Sequence, residues 1–267
     1  MAGFTLAEMA IVLVVVGLLL TTVLTTVSSQ LEARNNAETL SRLNQAKDAL
    51  IGYTQANGRL PCPADGLLAT GATGAGLEEV TSTATYVCKS GARYAVLPWA
   101  TLGVTETDVW GRRFTYKVVQ PTFSDAIAQN TWDTAGQSPS CTAPVPTPTY
   151  SSFALCSLGN FTITTRTASN KTGSSVSNVP VVIMSHGRNG YGAYTPGGTQ
   201  YAASTVGVDE PANANAAATI FYSREQSPQE SSCSDTAAGN FCEFDDLVVY
   251  IPATLLITRM VAAGKLP

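Results

Sequence analysis

The stretch that sets the fold of this 267-residue chain lies at its start: residues 3–20 read GFTLAEMAIVLVVVGLLL. No charged residue occurs from Met9 to Leu31. At about 1.5 Å per residue, a helix of that length crosses a bilayer core of roughly 30 Å. A secretory signal would have a shorter apolar run, about 7–15 residues, followed by a small-residue cleavage site. We therefore predict a transmembrane helix over residues 9–31.

The same helix continues as an amphipathic one. Apolar residues recur at steps of three and four, the spacing of one helix face, at Ala37, Leu40, Leu43, Ala46 and Leu50. The pair Asn57-Gly58 then supplies a stop signal. We predict one N-terminal helix over residues 4–57, transmembrane in 9–31 and amphipathic in 32–57. A rod of that length cannot be covered by one small domain, so we expect it to protrude.

The composition changes after Pro61, where glycine, threonine and proline become frequent. Short strand patterns occur at residues 92–99, 113–119, 160–167, 179–184 and 247–251, and a helix pattern at 255–263. The predicted fold class is therefore α+β: a long protruding N-terminal α-helix followed by a globular head with an antiparallel β-sheet. The predicted head covers residues 58–267.

The carboxylate of Glu8 lies one turn inside the apolar run. An ionised group in such a segment costs roughly 2.5–3.5 kcal/mol on insertion scales, so it points to a functional partner. The run Gly3-Phe4-Thr5-Leu6-Ala7-Glu8 resembles the processing signal of type IV pilins and type II secretion pseudopilins. In that family a peptidase cuts after the glycine and the new N-terminus is methylated. The resemblance implies a leader over residues 1–3, cleavage between Gly3 and Phe4, N-methylation of Phe4 and an assembly role for Glu8.

The leader differs from the family pattern, since Met1-Ala2-Gly3 carries no Lys or Arg. Leaders of the family usually carry these residues, which hold the N-terminus in the cytoplasm. We expect the natural start to lie upstream.

Two stretches of the predicted head resemble pseudopilins. Residues 108–116 are similar to a D-P-W-G-x-x-x-x-Y segment, with Val109 in place of the proline. Residues 185–190, followed much later by Asp245 and Asp246, resemble a glycine-rich loop before an acidic calcium-binding turn. The resemblance implies calcium ligation by Asp245 and Asp246. Glu243 and backbone carbonyls are the further candidate ligands that the sequence offers nearby. A solvated acidic turn is the alternative.

The cysteines are even in number and contain no CxxC pair: Cys62, Cys88, Cys141, Cys156, Cys233 and Cys242. The chain has one histidine and no CxxC pair, so the sequence gives little support for a zinc site. We predict three disulfides formed in an oxidising compartment. The order along the chain favours the local pairs Cys141–Cys156 and Cys233–Cys242 without fixing the connectivity.

Composition and motifs argue against two classes of function. The formal net charge of -4 gives no basis for bulk nucleic-acid binding. His186 is the one histidine in the chain, and the sequence contains no G-x-S-x-G motif whose serine it could activate. The sequence also contains no phosphate-binding loop motif. We predict that the protein is not an enzyme and has no catalytic residue.

Together these features predict a structural subunit of a type IV pilus-like filament. We expect a single-pass inner-membrane protein with a periplasmic head, which later enters an extracellular pilus or a periplasmic pseudopilus. The implied partners are other pilin subunits, the prepilin peptidase/methyltransferase, the inner-membrane assembly machinery and the lipid bilayer. The alternatives are a pseudopilin of type II secretion, a low-copy tip pilin for adhesion or DNA uptake, and a membrane-anchored binding module that never polymerises.

Overall fold

The computed structural model describes residues 5–82, 86–125 and 151–266, without the side chains of residues 19–29. The helices are α1 (Leu6–Asn57), α2 (Trp99–Leu102), α3 (Asp209–Ala214) and α4 (Ala253–Ala262). The strands are β1 (Ala64–Asp65), β2 (Tyr94–Val96), β3 (Thr115–Val118), β4 (Phe161–Thr167), β5 (Asn170–Val179), β6 (Val181–Ser185), β7 (Ile220–Ser223) and β8 (Leu247–Ile251).

The second half of α1 belongs to the hydrophobic core. Leu43, Ala46 and Leu50 are at most 1% exposed, because this face of the helix packs against β6, β8 and α4. The helix ends at Asn57, and Gly58 takes a left-handed φ of 73° while its N–H donates to the carbonyl of Thr54. Glycine adopts this conformation without a Cβ penalty, so the chain can turn away from the helix here.

The first sheet has five strands in the order β1-β2-β3-β6-β8, all antiparallel to their neighbours. Strand β6 lies between β3 and β8, with Val181 opposite Val118 on one side and Ile251 on the other. All five residues of β6 are buried. Its continuous apolar run is typical of a strand that is covered on both faces.

The second sheet has three strands in the order β5-β4-β7, and β7 runs parallel to β4. The rings of Phe161 on β4 and Phe221 on β7 meet edge to face at 5.5 Å. Directly after β7, the guanidinium of Arg224 binds the carboxylates of Asp209 and Asp235 at 2.9 and 3.0 Å. This buried ion network holds β7 to the start of α3.

The predicted fold class is wrong. The sequence predicts one antiparallel sheet behind a long protruding helix, whereas the chain is a β-rich globular fold with two sheets, one of which contains a parallel pair. Strand β7 can run parallel to β4 because a long connection that contains α3 leads the chain back to β4. A hairpin joins only antiparallel strands. From Thr39 onward, α1 is a wall of this globular fold and not part of a free rod.

The predicted membrane span over residues 9–31, and the inner-membrane localisation that depended on it, are contradicted. Within the residues that the structure describes, no helix contains an apolar stretch long enough to cross a bilayer.

Two disulfides close loops of the globular fold, Cys62–Cys88 and Cys233–Cys242. Cys156 is also disulfide-bonded, and its predicted partner Cys141 lies outside the described residues. The Cys233–Cys242 loop carries Asp235, whose carboxylate binds Arg224, so this crosslink steadies the buried ion network.

The packing of α1 gives a first prediction. Leu43 is fully buried, whereas Leu40, one turn earlier, is 43% exposed. We expect Leu43→Ala to lower the free energy of unfolding by about 2–5 kcal/mol, because it removes buried methylenes and leaves a cavity. The matched Leu40→Ala variant should lose less than about 1 kcal/mol. Urea denaturation of the two variants measures this, and equal losses would show that α1 does not pack against β6 and β8.

Candidate functional site

The first turn of α1 is closed by a reciprocal pair of side chains, Thr5 and Glu8. The Thr5 hydroxyl accepts the backbone N–H of Glu8 at 3.3 Å. The Glu8 carboxylate in turn accepts the backbone N–H and the hydroxyl of Thr5 at 2.9 and 2.8 Å. This capping box satisfies donors that the helix cannot satisfy itself. The backbone and hydroxyl hydrogen bonds from Thr5 lower the pKa of Glu8, so the carboxylate is ionised.

The turns that follow carry an exposed apolar surface, which we call the apolar collar. Its side chains are between 45% and 92% exposed: Leu6, Met9, Ile11, Val12, Leu13, Val14, Val15, Val16 and Leu18. Six of these residues are consecutive, and successive residues of a helix are about 100° apart. The collar therefore surrounds the helix instead of forming one stripe.

The residues of the predicted cleavage site, Gly3 and Phe4, lie outside the described residues. The collar and the Glu8 cap are therefore the described parts of the predicted processing and assembly signal.

A second candidate site lies where the glycine-rich loop after β6 meets the acidic turn before β8. The backbone N–H of Asn189 donates to Asp245 at 2.8 Å, and a Cβ added at Gly187 would lie 2.3 Å from the Asp245 carbonyl oxygen. Gly187 therefore permits the close approach that brings the loop and the acidic turn together. The side chain of Asp246 accepts a hydrogen bond from Asn213 at 2.8 Å, and its other oxygen lies 3.3 Å from Nδ1 of His186.

Glu210, at the start of α3, completes this acidic cluster. Its Oε1 accepts the Asp245 backbone N–H at 2.9 Å and the Asn189 side chain at 3.0 Å. One carboxylate oxygen each from Glu210, Asp245 and Asp246 lies within 4.8 Å of the others. The sequence analysis placed Glu243 in this role and missed Glu210. Neither the spacing nor a motif identifies Glu210, because α3 reaches the acidic turn only through the tertiary fold.

The electrostatics of the acidic cluster are unfavourable without a cation. Burial and then the charge of Asp246 raise the pKa of Glu210 to about 8. Burial raises the pKa of Asp245 to about 6, and the neighbouring Asp246 adds to the effect. Oε2 of Glu210 and Oδ1 of Asp245 are buried and have no hydrogen-bond partner among the described residues. Buried acceptors of this kind are costly unless something satisfies them.

These donors fit a hard divalent cation such as calcium. Carboxylate and carbonyl oxygens are the ligands that calcium takes, six to eight in all. Glu210, Asp245 and Asp246 would supply three, and backbone carbonyls and waters the remainder. Such a cation would neutralise the mutual repulsion of the carboxylates and satisfy both orphaned oxygens.

The neighbouring Ser185 and His186 are directed to different partners. The Ser185 hydroxyl donates to the carboxylate of Asp108 at 2.6 Å. The Nε2 atom of His186 is hydrogen-bonded to the Thr115 hydroxyl at 2.9 Å. The two side chains therefore do not form the nucleophile–base pair that acyl transfer requires.

Comparison with known proteins gives no match, whether to a family model, a curated protein or a solved structure.

The acidic cluster gives the second prediction. Calcium should raise the melting temperature of the native protein relative to chelator, because it relieves the repulsion among the three carboxylates. Above about pH 8, where Glu210 is ionised, Glu210→Gln keeps the hydrogen-bond acceptor for Asn189 and Asp245 but removes one charge. It should therefore melt higher than the native protein in chelator and gain less from calcium.

Two further variants serve as the positive and negative controls of this experiment. Asp246→Ala should abolish the calcium-dependent shift, since it removes a ligand. Glu243 is not one of the three clustered carboxylates, so Glu243→Gln should keep most of the shift. If calcium and chelator give the same melting curve for the native protein at neutral and mildly alkaline pH, the cluster is not a calcium site.

Proposed function

We propose that this chain is a structural subunit of a type IV pilus-like filament, in which subunits contact one another through the apolar collar of α1. The exposed collar is the observation that carries the proposal. An exposed apolar surface of this extent is typical of an interaction site.

The arrangement of the collar favours a bundle of helices over a pairwise contact. A helix that is apolar on all sides requires covering on all sides. One partner helix would cover a single stripe of residues 11–16 and leave the others in water. Each large apolar side chain that is fully buried contributes roughly 1.5–3 kcal/mol, so the driving force is greatest where several subunits surround each helix.

Repetition of such a contact produces a filament. The collar is continuous with the part of α1 that is fixed in the globular fold through Leu43 and Leu50. Contacts between unlike surfaces of successive subunits do not close on themselves and generate an open helical assembly. The globular fold then forms the outside of the fibre and the collar its centre.

We further propose that Glu8 sets the axial register of the incoming subunit. Cleavage between Gly3 and Phe4 leaves a charged amine on Phe4, and in a dry fibre core this amine and a Glu8 carboxylate compensate each other. Within one subunit the carboxylate is occupied by Thr5. An acceptor with two oxygens has capacity for both partners, so the cap and the intersubunit contact are compatible.

The third prediction separates capping from register. Glu8→Leu removes both the cap and the charge, whereas Glu8→Gln keeps a capping residue and removes only the charge. Thr5→Ala weakens the cap and keeps the charge. We expect filaments from Thr5→Ala, and few or none from Glu8→Leu and Glu8→Gln. The measurement is the amount of sheared filament by electron microscopy in a strain without the native copy.

Two controls accompany these variants. Subunit levels and melting temperatures should match those of the native protein, since Glu8 is exposed and distant from the core. Native amounts of filament from Glu8→Gln would refute the register role while leaving the collar as the assembly surface.

The fourth prediction concerns processing. We expect the mature protein to begin at Phe4 with one added methyl group, on the basis of the Gly3-Phe4 junction ahead of Glu8. Intact-mass analysis of protein from the native host tests this. A mature N-terminus at Met1, or beyond the collar, would rule out the pilin-type signal.

A pseudopilin of type II secretion is a second candidate, favoured by one observation. The glycine-rich loop and the acidic turn, the two stretches that resemble pseudopilins in sequence, lie against each other, with Asn189 bonded to Asp245. Deletion of the gene separates the two candidates. Loss of surface filaments favours the pilus, and loss of exported proteins from the medium favours the pseudopilus.

A further inference from the structure

A cleft of about 420 Å³ opens beside β3, away from the apolar collar and the acidic cluster. Its lining includes Tyr94 and the segment 216–219 that precedes β7. A volume in this range suits a small organic ligand. Among the residues that the structure describes, no carboxylate side chain lines the cleft.

Lys117 projects from β3 into this cleft. Its Nζ donates one hydrogen bond, to the carbonyl of Ala216 at 2.9 Å, and among the described residues it has no ion-pair partner. A half-buried ammonium without a counter-ion is poorly stabilised. Burial accordingly lowers the pKa of Lys117 to about 8. At neutral pH roughly a tenth of this amine is uncharged, whereas an ordinary lysine with a pKa of about 10.4 is almost wholly protonated.

The other titratable groups that line the cleft do not compete for this role. The ammonium of Lys89 is paired with Glu79 at 2.6 Å, which raises its pKa. The Tyr116 hydroxyl donates to the carbonyl of Pro61, and burial raises its pKa well above the usual value. The remaining titratable group in the lining is the phenol of Tyr94, and the ammonium of Lys89 lies over the face of its ring. Lys117 is therefore the nucleophilic amine of the cleft.

We propose that Lys117 and its cleft form a covalent binding site for small aldehydes with an apolar body, held as an imine. The uncharged amine attacks the carbonyl carbon, a C–N bond forms, and the carbonyl oxygen takes a proton to give a carbinolamine. Loss of that oxygen as water then forms the C=N bond. The sum is amine plus aldehyde giving imine plus water, with no change in oxidation state. Burial activates lysine for this chemistry, and Tyr94 and Ala217 in the cleft lining would contact the apolar body.

The filament proposal plays no part in this inference, and the chain offers a clean test of it. The five lysines are Lys47, Lys89, Lys117, Lys171 and Lys265. The full-length protein is treated at pH 7.5 with a limiting amount of benzaldehyde and cyanoborohydride, which reduces the imine by hydride transfer. Peptide mass spectrometry after Asp-N digestion, which places each of the five lysines on a separate peptide, then reports the rate of benzylation at each lysine.

We expect Lys117 to react at least about tenfold faster than Lys47 and Lys265, because a larger share of its amine is uncharged at this pH. The advantage should shrink above about pH 10, where all the amines lose their protons. Lys117→Met should leave benzylation of the other four lysines unchanged. A Lys117 rate equal to or below those of Lys47 and Lys265 at pH 7.5 would overturn the proposal.

One further variant distinguishes a built cleft from a merely reactive amine. Ala217 lines the cleft and is exposed, so Ala217→Phe fills the space without disturbing the core. It should slow benzylation of Lys117 several-fold and leave reductive methylation by formaldehyde unchanged. Unchanged benzylation in this variant would show that the cleft does not bind the aldehyde, which also overturns the proposal.

Discussion

The packing of Leu43, Ala46 and Leu50 against β6 and β8 is the interaction on which the rest depends. Because of this packing, the later turns of α1 lie in the hydrophobic core while the apolar collar of the same helix is exposed. Propensity alone would not hold so long a helix in water, because most helical stability in proteins comes from tertiary packing. The globular fold supplies that packing at one end. We propose that neighbouring subunits supply it at the other.

The globular fold also contains polar groups that its own packing leaves incompletely satisfied. The orphaned oxygens of Glu210 and Asp245 point to a cation, and the ammonium of Lys117 has a single hydrogen bond. By contrast, each guanidinium nitrogen of the buried Arg224 is hydrogen-bonded to an acceptor. Satisfied networks of this kind stabilise one arrangement of the fold.

Part of this architecture is readable from the sequence. Strands β6 and β8 are continuous apolar runs, and the Asn57-Gly58 pair stands at the end of α1. Strand β5 was missed because it is an exposed edge strand of Ser, Thr and Asn without apolar alternation. The parallel pairing of β7 and the place of Glu210 were also missed. Both depend on where a long connection returns, which local patterns do not encode.

The central claim is that the apolar collar is buried between subunits. A side-chain-resolution structure of filaments sheared from the native host, by electron microscopy, tests it most directly. The account predicts a fibre whose centre is formed by residues 6–18 of several subunits, with Leu13 and its neighbours surrounded by other helices and the globular folds outside. Filaments of this protein in which those side chains face solvent, while the globular folds make all the contacts, would contradict it.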